Sequence, residues 1–291
     1  MNNENEFVIF ILTHGRAHNV RTYTTLRRQG YTGPIKIVID NEDKTAEEYY
    51  KKFGDDVVMF DKEAISKTFD EADNFDDRRA IIYARNACFD IARDLGYTYF
   101  MEFDDDYTTF TYRIGADMQH PRKGYCVKNK LDDIFSSLLE YYKNTPFKSI
   151  ATSQGGDWFD GAHGFGKAPK RKCMNSFICS IERPFQFVGR INEDVNTYTW
   201  FQSQGNAFIT IPFIQLDQIT TQSNEGGMTD IYIDKGTYIK SFYTILFQPS
   251  SVTIEMMGTA HRRLHHRINW DHTTPMILRE NVRKLQEVKN E

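Results

Sequence analysis

The stretch Tyr99-Phe100-Met101-Glu102-Phe103-Asp104-Asp105-Asp106 joins a strand-like apolar run to three consecutive carboxylates. Adjacent aspartates repel one another unless a cation or hydrogen bonds offset their charge. Hard carboxylate oxygens are the ligands that Mg²⁺ and Mn²⁺ prefer, and Mg²⁺ in proteins commonly also binds phosphate. The stretch therefore predicts a divalent-metal site at the end of a buried strand. The alternative interpretation is that one aspartate caps the next turn and the other two are solvated.

The chain before this stretch alternates strand and helix patterns. The predicted strands cover residues 7–12, 35–39 and 57–60, and the predicted helices cover residues 19–29, 45–53 and 78–95. Such alternation is typical of parallel βαβ units in one sheet, whose ligands bind beyond the carboxyl ends of the strands. The turn Thr13-His14-Gly15-Arg16, Asp40 and the three aspartates are predicted to meet at that edge.

The second half has a less regular pattern. Predicted elements are a helix over 130–143, a long loop over 153–175, apolar runs at 176–181 and 207–211, a helix over 236–247, a strand at 251–257, a basic histidine-rich segment at 261–267 and a closing helix over 275–288. No internal repeat or linker interrupts the chain. We therefore expect one α/β domain over residues 1–291.

Composition limits the class of protein. With 291 residues, 40% of them hydrophobic, the chain can bury a large core, and a net charge of -4 excludes a uniformly basic coat protein but not a local basic groove. The four cysteines form no CxxC pair, which favours reduced thiols over a zinc finger or disulfide framework. No apolar run reaches the length of a membrane span, so a soluble, cytoplasmic protein is expected.

Two pairs in the pattern carry possible chemistry. Arg85-Asn86 lies in a predicted helix, where the arginine could reach a phosphate or ribose and the asparagine could orient a carboxylate; an exposed helix pair is the alternative. Glu193-Asp194 places adjacent carboxylates between apolar residues, where one could act as general base. An acidic pair at a helix start would have the same pattern.

Two basic clusters could bind anions. The segment from His261 to Arg267 could supply an imidazole metal ligand and cations for a phosphate leaving group, or it could be a basic surface helix. The second cluster, Lys167, Lys170, Arg171 and Lys172, could contact a polyanionic acceptor or simply be solvated. Trp158 lies near it and could stack on a base or a sugar.

Taken in chain order, these motifs resemble a GT-A glycosyltransferase. More narrowly, residues 7–106 resemble the TET-associated glycosyltransferase family, as does the run Arg183-Pro184-Phe185-Gln186-Phe187-Val188-Gly189-Arg190-Ile191-Asn192-Glu193-Asp194. Members of that family occur in phages and act on hydroxymethylated pyrimidines in DNA. The resemblance covers residues 7–285. It implies a GT-A-like, Rossmann-type, mostly parallel sheet flanked by helices, with a nucleotide-sugar half at about 7–130 and an irregular acceptor half at about 131–291.

The resemblance also implies a reaction and a set of site residues. The donor would be a UDP-sugar bridged by Mn²⁺ or Mg²⁺, and the acceptor would be 5-hydroxymethylcytosine or 5-hydroxymethyluracil in DNA. The expected nucleotide-sugar contacts are Thr13, Gly15, Arg16, Asp40, Arg85, Asn86, Asp104 and Asp105. The expected metal ligands are Asp104 and Asp106 with His261, His265 or His266. The expected catalytic residues are Asp194 and Glu193, and the expected DNA contacts are Trp158, Lys170, Arg171, Lys172, Arg262 and Arg263.

Three alternatives remain open from the sequence. The acceptor could be a protein, lipid or polysaccharide; the enzyme could be a metal-dependent nucleotidyltransferase; or the chain could be a degenerate fold that binds DNA without catalysis. A carboxylate base opposite the leaving group would invert the anomeric centre, and its absence would favour retention.

Overall fold

The computed structural model describes residues 6–75, 77–113, 124–155, 170–219, 238–258, 262–278 and 283. The strands are β1 (Phe7–Leu12), β2 (Ile35–Asp40), β3 (Val57–Phe60), β4 (Tyr99–Asp104), β5 (Tyr107–Tyr112), β6 (Tyr125–Cys126), β7 (Ser149–Gln154), β8 (Ser176–Ser180), β9 (Phe208–Gln218), β10 (Val252–Met257) and β11 (Arg263–Ile268). The α-helices are α1 (Arg21–Arg28), α2 (Ala46–Phe53), α3 (Lys62–Ser66), α4 (Ile82–Asp94), α5 (Leu131–Lys143), α6 (Glu193–Ser203), α7 (Ile239–Phe247) and α8 (Trp270–Thr273).

Nine of these strands form one sheet in the order β3-β2-β1-β4-β8-β7-β9-β5-β6, and β10 and β11 form a separate antiparallel pair. Strands β3, β2, β1 and β4 are mutually parallel. Beyond them, β8 is antiparallel to both β4 and β7, and β5 is antiparallel to β9. The predicted α/β class is confirmed, but the sheet is mixed, because the strands beyond β4 in the sheet order include antiparallel neighbours.

The alternation of side chains along β1 and β4 divides the core into two layers. Ile9 and Ile11 of β1 pack with the layer that contains α1, α2 and α5 residues. Phe10 of β1 and Phe100 of β4 pack with α4 and α6 residues on the opposite face. Glu102 and Asp104 have the same parity as Phe100, so strand geometry directs both carboxylates toward α4.

Strand pairing also fixes where the polar turns meet. Leu12 at the end of β1 is in register with Val38 of β2 and with Asp104 of β4. The carboxyl ends of these strands therefore lie side by side, and the predicted meeting of the turn at 13–16, Asp40 and the aspartates at one edge is confirmed.

The early predicted elements match the structure closely, whereas later ones differ. Residues 263–267 of the basic segment do not form the alternative surface helix, because residues 263–268 form β11, paired residue by residue with β10; His261 lies outside the described residues. Residues 275–278 of the predicted closing helix are not helical. Strand β7 has no prediction, since it is built from buried serine and threonine rather than an apolar run. All four cysteines are free, and no described helix is long and apolar enough to cross a bilayer.

Candidate functional site

The turn after β1 is fixed by hydrogen bonds to neighbouring strand ends. Thr13 Oγ1 donates to Asp105 Oδ2 at 2.6 Å, and the Gly15 amide donates to Asp43 Oδ2 at 2.7 Å. Arg16 Nε lies 3.3 Å from the same Asp105 oxygen. Gly15 has a φ of +69°, a left-handed conformation that glycine adopts without strain. Thr13, Gly15 and Arg16 therefore lie together, as predicted. Thr13 and Arg16 contact Asp105, and Gly15 binds Asp43.

Asp40 is buried and fully engaged by protein groups. Its Oδ2 lies 2.7 Å from His14 Nδ1 and 3.3 Å from Lys62 Nζ, while its Oδ1 accepts the Glu42 amide at 3.1 Å. Although burial opposes the shift, the His14 hydrogen bond and the Lys62 charge lower the pKa of Asp40. The His14 side chain is 44% exposed. Asp40 thus orients His14, whose side chain is partly exposed at this strand end.

Arg85 joins the two parts of the candidate site. Its side chain is completely buried on α4, with Nη2 donating to Asp104 Oδ1 at 2.9 Å and Nη1 donating to Glu102 Oε2 at 3.3 Å. Its Nε donates to Glu193 Oε1 at 3.1 Å. We call Arg85, Glu102, Asp104 and Glu193 the Arg85 network. The expectation that Arg85 contacts the donor is not favoured, because all three sides of its guanidinium bind carboxylates.

The three aspartates have different surroundings. Asp104 binds Arg85 and is partly exposed, while Asp105 is buried between Thr13 and Arg16. Burial raises the pKa of both carboxyls, and the neighbouring arginines oppose the shift. Burial, and then repulsion from Asp104 and Asp105, raises the pKa of Asp106 to about 7. Asp106 therefore lies where added positive charge would relieve the most repulsion.

The residues fit a divalent ion in their donor chemistry. Within the described residues, no group of three or more His, Cys, Asp or Glu side chains forms a ready-made metal cluster. Mg²⁺ bound with substrate phosphates commonly uses only one or two carboxylates and keeps several waters. Asp104 and Asp106 provide such carboxylates, and repulsion between the adjacent aspartates contributes to the raised pKa of Asp106. Asp105 is less suited, because its Oδ2 already binds Thr13 and Arg16.

The second acidic pair begins α6. Asn192 takes a left-handed conformation with φ of +64°, and the chain then enters the helix with Glu193 and Asp194 in its first turn. Asp194 Oδ1 accepts the Val195 amide at 2.7 Å. Burial, and then repulsion from Asp194, raises the pKa of Glu193 to about 7 against the attraction of Arg85. Burial also raises the pKa of Asp194, opposed by the Val195 amide, Arg85 and Lys172.

These two carboxylates therefore differ in availability. Glu193 is held by Arg85 in the same network as Asp104, which places the start of α6 beside the end of β4. Asp194 has no ion pair of that kind among the described contacts, and it has a raised pKa. Burial raises the pKa of both carboxyls, so the ion pair decides between them: Glu193 is engaged by Arg85, and the geometry favours Asp194 as the proton acceptor.

A comparison with family models matches residues 7–227 to the TET-Associated Glycosyltransferase family. The chain belongs to that family. The match confirms the predicted family and glycosyltransferase activity, and the mixed α/β sheet agrees with the predicted GT-A-like fold class. No curated protein matches the chain significantly.

Solved structures show more distant likenesses. Glucosyl-3-phosphoglycerate synthase from Mycobacterium tuberculosis, in complex with Mn²⁺, UDP and phosphoglyceric acid, has 8% identity and a TM-score of 0.43, over 91% of this chain and 87% of that chain. Residues 1–349 of TarS from S. aureus, in complex with UDP-GlcNAc, have 7% identity and a TM-score of 0.38, over 84% of this chain and 67% of that chain. Likenesses this distant assign no residue of this glycosyltransferase.

The structure of this glycosyltransferase contains site residues that sequence patterns do not reveal. Burial raises the pKa of Glu102 to about 8, although Arg85 opposes the shift, and Glu102 Oε1 is a buried oxygen without a hydrogen-bond partner among the described residues. Asp43 Oδ1 accepts the Thr45 amide at 2.8 Å, while its Oδ2 binds Gly15. In the sequence, the signal for this role is that Glu102 is a charged residue inside an apolar strand run, between Met101 and Phe103.

Asn86 has a structural role that differs from the prediction. Its Nδ2 donates to the Phe187 carbonyl at 3.0 Å, and its Oδ1 accepts the Phe187 amide at 2.8 Å. Asn86 is buried, and both of its described side-chain hydrogen bonds are to the main chain of Phe187 rather than to a carboxylate. The side chain therefore fixes the segment that leads to Glu193, and a contact with the nucleotide-sugar is not favoured.

Two of the predicted histidines lie in the neighbourhood of the second acidic pair, because Lys172 interacts electrostatically with both His265 and Asp194. His265 and His266 lie on β11, where burial and the charges of nearby Lys172 and Lys240 lower the pKa of His265 to about 4. Burial and His265 lower the pKa of His266 to about 3. Both rings are therefore neutral near pH 7 and able to bind a metal, but their cationic neighbours disfavour one. Whether either histidine joins Asp104 and Asp106 at one ion stays a prediction.

The predicted DNA contacts are only partly described. Arg262 and Arg263 are exposed, and Arg171 and Lys172 are partly buried. Lys170 is exposed and forms an ion pair with Asp271. Trp158, Lys167 and His261 lie outside the described residues. The DNA contacts predicted for Trp158, for residues 170–172 and for Arg262 and Arg263 stay predictions.

Proposed function

We propose that this glycosyltransferase moves a sugar from a UDP-sugar to the hydroxymethyl group of 5-hydroxymethylcytosine or 5-hydroxymethyluracil in DNA, with Mn²⁺ or Mg²⁺ at Asp104 and Asp106. The observation that carries the proposal is the Arg85 network. One buried guanidinium holds Asp104 at the end of β4 and Glu193 at the start of α6. The carboxylates suited to bind a donor and the one suited to activate an acceptor are therefore neighbours.

On the donor side, protein groups orient the aspartates before substrate binds. Thr13 and Arg16 hold Asp105, and Arg85 holds Asp104, so the positions of two carboxylates are set by buried contacts. When bound, the divalent ion supplies positive charge for the departing nucleoside diphosphate. Fixed charges of this kind accelerate a reaction because they need little reorganisation in the transition state.

On the acceptor side, Asp194 accepts the proton of the hydroxymethyl group. The acceptor oxygen then forms the bond to the anomeric carbon while the bond from that carbon to the diphosphate oxygen breaks, and the diphosphate leaves with the bonding electrons. The raised pKa of Asp194 supports this role, because burial makes the carboxylate a stronger base. A base on the face opposite the diphosphate predicts inversion at the anomeric carbon.

The DNA acceptor is supported by family membership and by surface charge. Arg262 and Arg263 are exposed at the start of β11, where they could contact phosphates, which supply most of the salt-dependent affinity for DNA. Reaching a base in duplex DNA requires its extrusion, at a cost of about a few kcal/mol. We therefore expect single-stranded or locally unpaired DNA to react faster than a perfect duplex.

The test begins with a screen of UDP-sugars for turnover, with Mn²⁺, Mg²⁺ or EDTA. Hydroxymethylated DNA is then incubated with the active donor, digested to nucleosides and analysed by mass spectrometry. The expected result is a modified nucleoside heavier by one glycosyl residue, formed only with metal. Turnover of the donor without any gain in nucleoside mass would reject the DNA acceptor and direct the search to protein or polysaccharide acceptors.

The role of Asp194 is tested by Asp194→Asn. We expect UDP binding to change by less than threefold while transfer falls about 10²- to 10⁴-fold, the usual contribution of a general base. Asp133→Asn is a matched control, because Asp133 also lies in the first turn of a helix but is 69% exposed in its side chain. Transfer by Asp194→Asn within fivefold of the unmodified enzyme would reject Asp194 as the base.

A further inference from the structure

The connection between α3 and α4, residues 67–75 and 77–81, runs alongside the segment that leads to α6. The Gly189 amide donates to the Asp70 carbonyl at 2.7 Å, and the Arg190 amide donates to the Glu71 carbonyl at 3.0 Å. Gln186 Nε2 donates to the Thr68 carbonyl at 2.6 Å. Successive main-chain bonds of this kind hold the two segments side by side, just before Glu193 and Asp194.

Arg190 adds a buried side-chain anchor to these bonds. Its side chain is completely buried, with Nη2 donating to Asp73 Oδ2 at 2.7 Å and to the Tyr243 hydroxyl at 3.1 Å. The Arg190 Nε also donates to Asp73 Oδ2, at 3.0 Å, and the Tyr243 hydroxyl donates to the same carboxylate. We call Arg190, Asp73 and Tyr243 the Arg190 network. It joins the α3–α4 connection, the turn before α6 and helix α7.

The other end of the same connection reaches the carboxyl ends of β1, β2 and β4. We call this the donor edge, because the donor is proposed to bind there. Arg78 donates to Glu42 Oε1 through Nε at 2.9 Å and through Nη2 at 2.7 Å. Glu42 lies between Asp40, which orients His14, and Asp43, which binds the Gly15 amide. Asp77, beside Arg78, lies 3.6 Å from Arg190 Nη1. One connection therefore contacts both the donor edge and the turn that carries the proposed base.

The turn at residues 189–194 is itself closely packed. Gly189 has a φ of +76°, and a Cβ at this position would lie 2.3 Å from Asn196 Nδ2 and 2.7 Å from Phe247 Cε2. Asn192 is also left-handed, and its Nδ2 donates to Thr244 Oγ1 of α7 at 2.7 Å. The path of residues 189–194 is thus determined by contacts with α7 and with the α3–α4 connection, and the Arg190 side chain bonds to both.

We infer that Arg190, Asp73 and Tyr243 are positioning residues, which hold residues 189–194 so that Asp194 is aligned with a donor bound at the strand edge. They touch no reacting atom. The inference rests on the proposed role of Asp194 for its catalytic consequence, whereas the structural part stands on the contacts alone. Because a misplacement of about 1 Å can lower a rate about 10²-fold, loss of the network should lower kcat more than it weakens donor binding.

The test compares Arg190→Lys with Arg183→Lys. Arg183 is the matched control, because it lies in the same segment and donates to the carbonyls of Tyr142 and Phe147 at 2.8 and 3.0 Å, away from the α3–α4 connection. Both variants lose arginine hydrogen bonds, fully buried at Arg190 and partly buried at Arg183, and should lower the urea midpoint. Only Arg190→Lys is expected to lower kcat by tenfold or more with the donor KM within threefold. Tyr243→Phe should give a smaller loss of kcat in the same direction.

A second measurement keeps the inference testable if the proposed reaction fails. Amide hydrogen exchange at Gly189 and Arg190 reports the main-chain bonds to Asp70 and Glu71, whether or not any sugar is transferred. We expect exchange there to be at least tenfold faster in Arg190→Lys and unchanged in Arg183→Lys. Unchanged exchange in Arg190→Lys, or an equal loss of kcat in both variants, would overturn the inference. If exchange at Gly189 and Arg190 is faster in Arg190→Lys as expected, but the unmodified chain transfers no sugar, the proposed function is rejected and the positioning contacts stand.

Discussion

Replacing Arg85 by methionine should destabilise the fold in a pH-dependent way. Methionine can fill much of the buried space but leaves the carboxylates of Glu102, Asp104 and Glu193 without the cation that now lies 2.9 to 3.3 Å from them. Removing one partner of a buried ion pair commonly costs about 3–5 kcal/mol. Against a total stability of about 5–15 kcal/mol, the variant should fold but with a clearly lower urea midpoint.

The pH dependence follows from where the protons bind. In the native enzyme, burial already raises the pKa of Glu102 to about 8 and that of Glu193 to about 7. Without Arg85 both values rise further, so at pH 6 the folded variant keeps these groups neutral and the penalty is smallest. Above about pH 7 the folded native enzyme begins to release these protons while the folded variant still holds them, so the variant's stability relative to the native enzyme falls by up to about 1.4 kcal/mol per pH unit for each group.

Urea denaturation at pH 6 and pH 8.5 measures the difference, with Arg93→Met as control. Arg93 lies on the same helix, but its side chain is 53% exposed in a pair with Asp90, so its loss should cost under about 1 kcal/mol at either pH. The reasoning is refuted if Arg85→Met loses less than about 1 kcal/mol. It is refuted equally if the loss is the same at both pH values.

Three further outcomes are expected. Glu102→Gln should reduce the fall in stability between about pH 4.5 and 8, because a carboxyl with a raised folded pKa stabilises below its unfolded pKa and loses that contribution as pH rises through about 8; urea midpoints across this range measure it. Asp106→Asn should abolish metal-stimulated donor turnover while leaving the circular dichroism spectrum unchanged, and near-normal turnover in an Mn²⁺ titration would remove Asp106 from the metal site. Gly189→Ala should lower the melting temperature, because the new Cβ meets Asn196 and Phe247 in a left-handed position, whereas Gly54→Ala, with open space around its Cβ, should lower it less.

Local sequence patterns were sufficient to predict the strand ends that form the proposed donor edge. The apolar runs of β1, β2 and β3 lie within one residue of their predicted bounds, because strands buried on both faces have a continuous apolar signal. Parallel pairing then brought the turn at 13–16, Asp40 and the aspartates together. The same reasoning failed for β7 and β11, since buried serines and a charged hairpin lack that signal.

The role of Arg85 could not be predicted from the pattern around it. A charged residue beside an apolar helical stripe is usually solvated, yet this side chain is completely buried among carboxylates from β4 and α6. Glu193 lies 108 residues further along the chain, and nothing local indicates that it meets Arg85. Asn86 and Arg190 were hidden for the same reason, because their partners come from distant segments.

The sequence by itself determined the α/β class, the parallel strands and the family, because periodicity, strand ends and motif order are local properties. Only the tertiary structure decided which charges are paired, since pairing depends on contacts between residues far apart in the chain. Asp105 is bound by Thr13 and Arg16, Asp104 and Glu193 share Arg85, and burial with repulsion from its two neighbours raises the pKa of Asp106 to about 7. The three adjacent aspartates look equivalent in the sequence, and burial with different partners makes them chemically distinct.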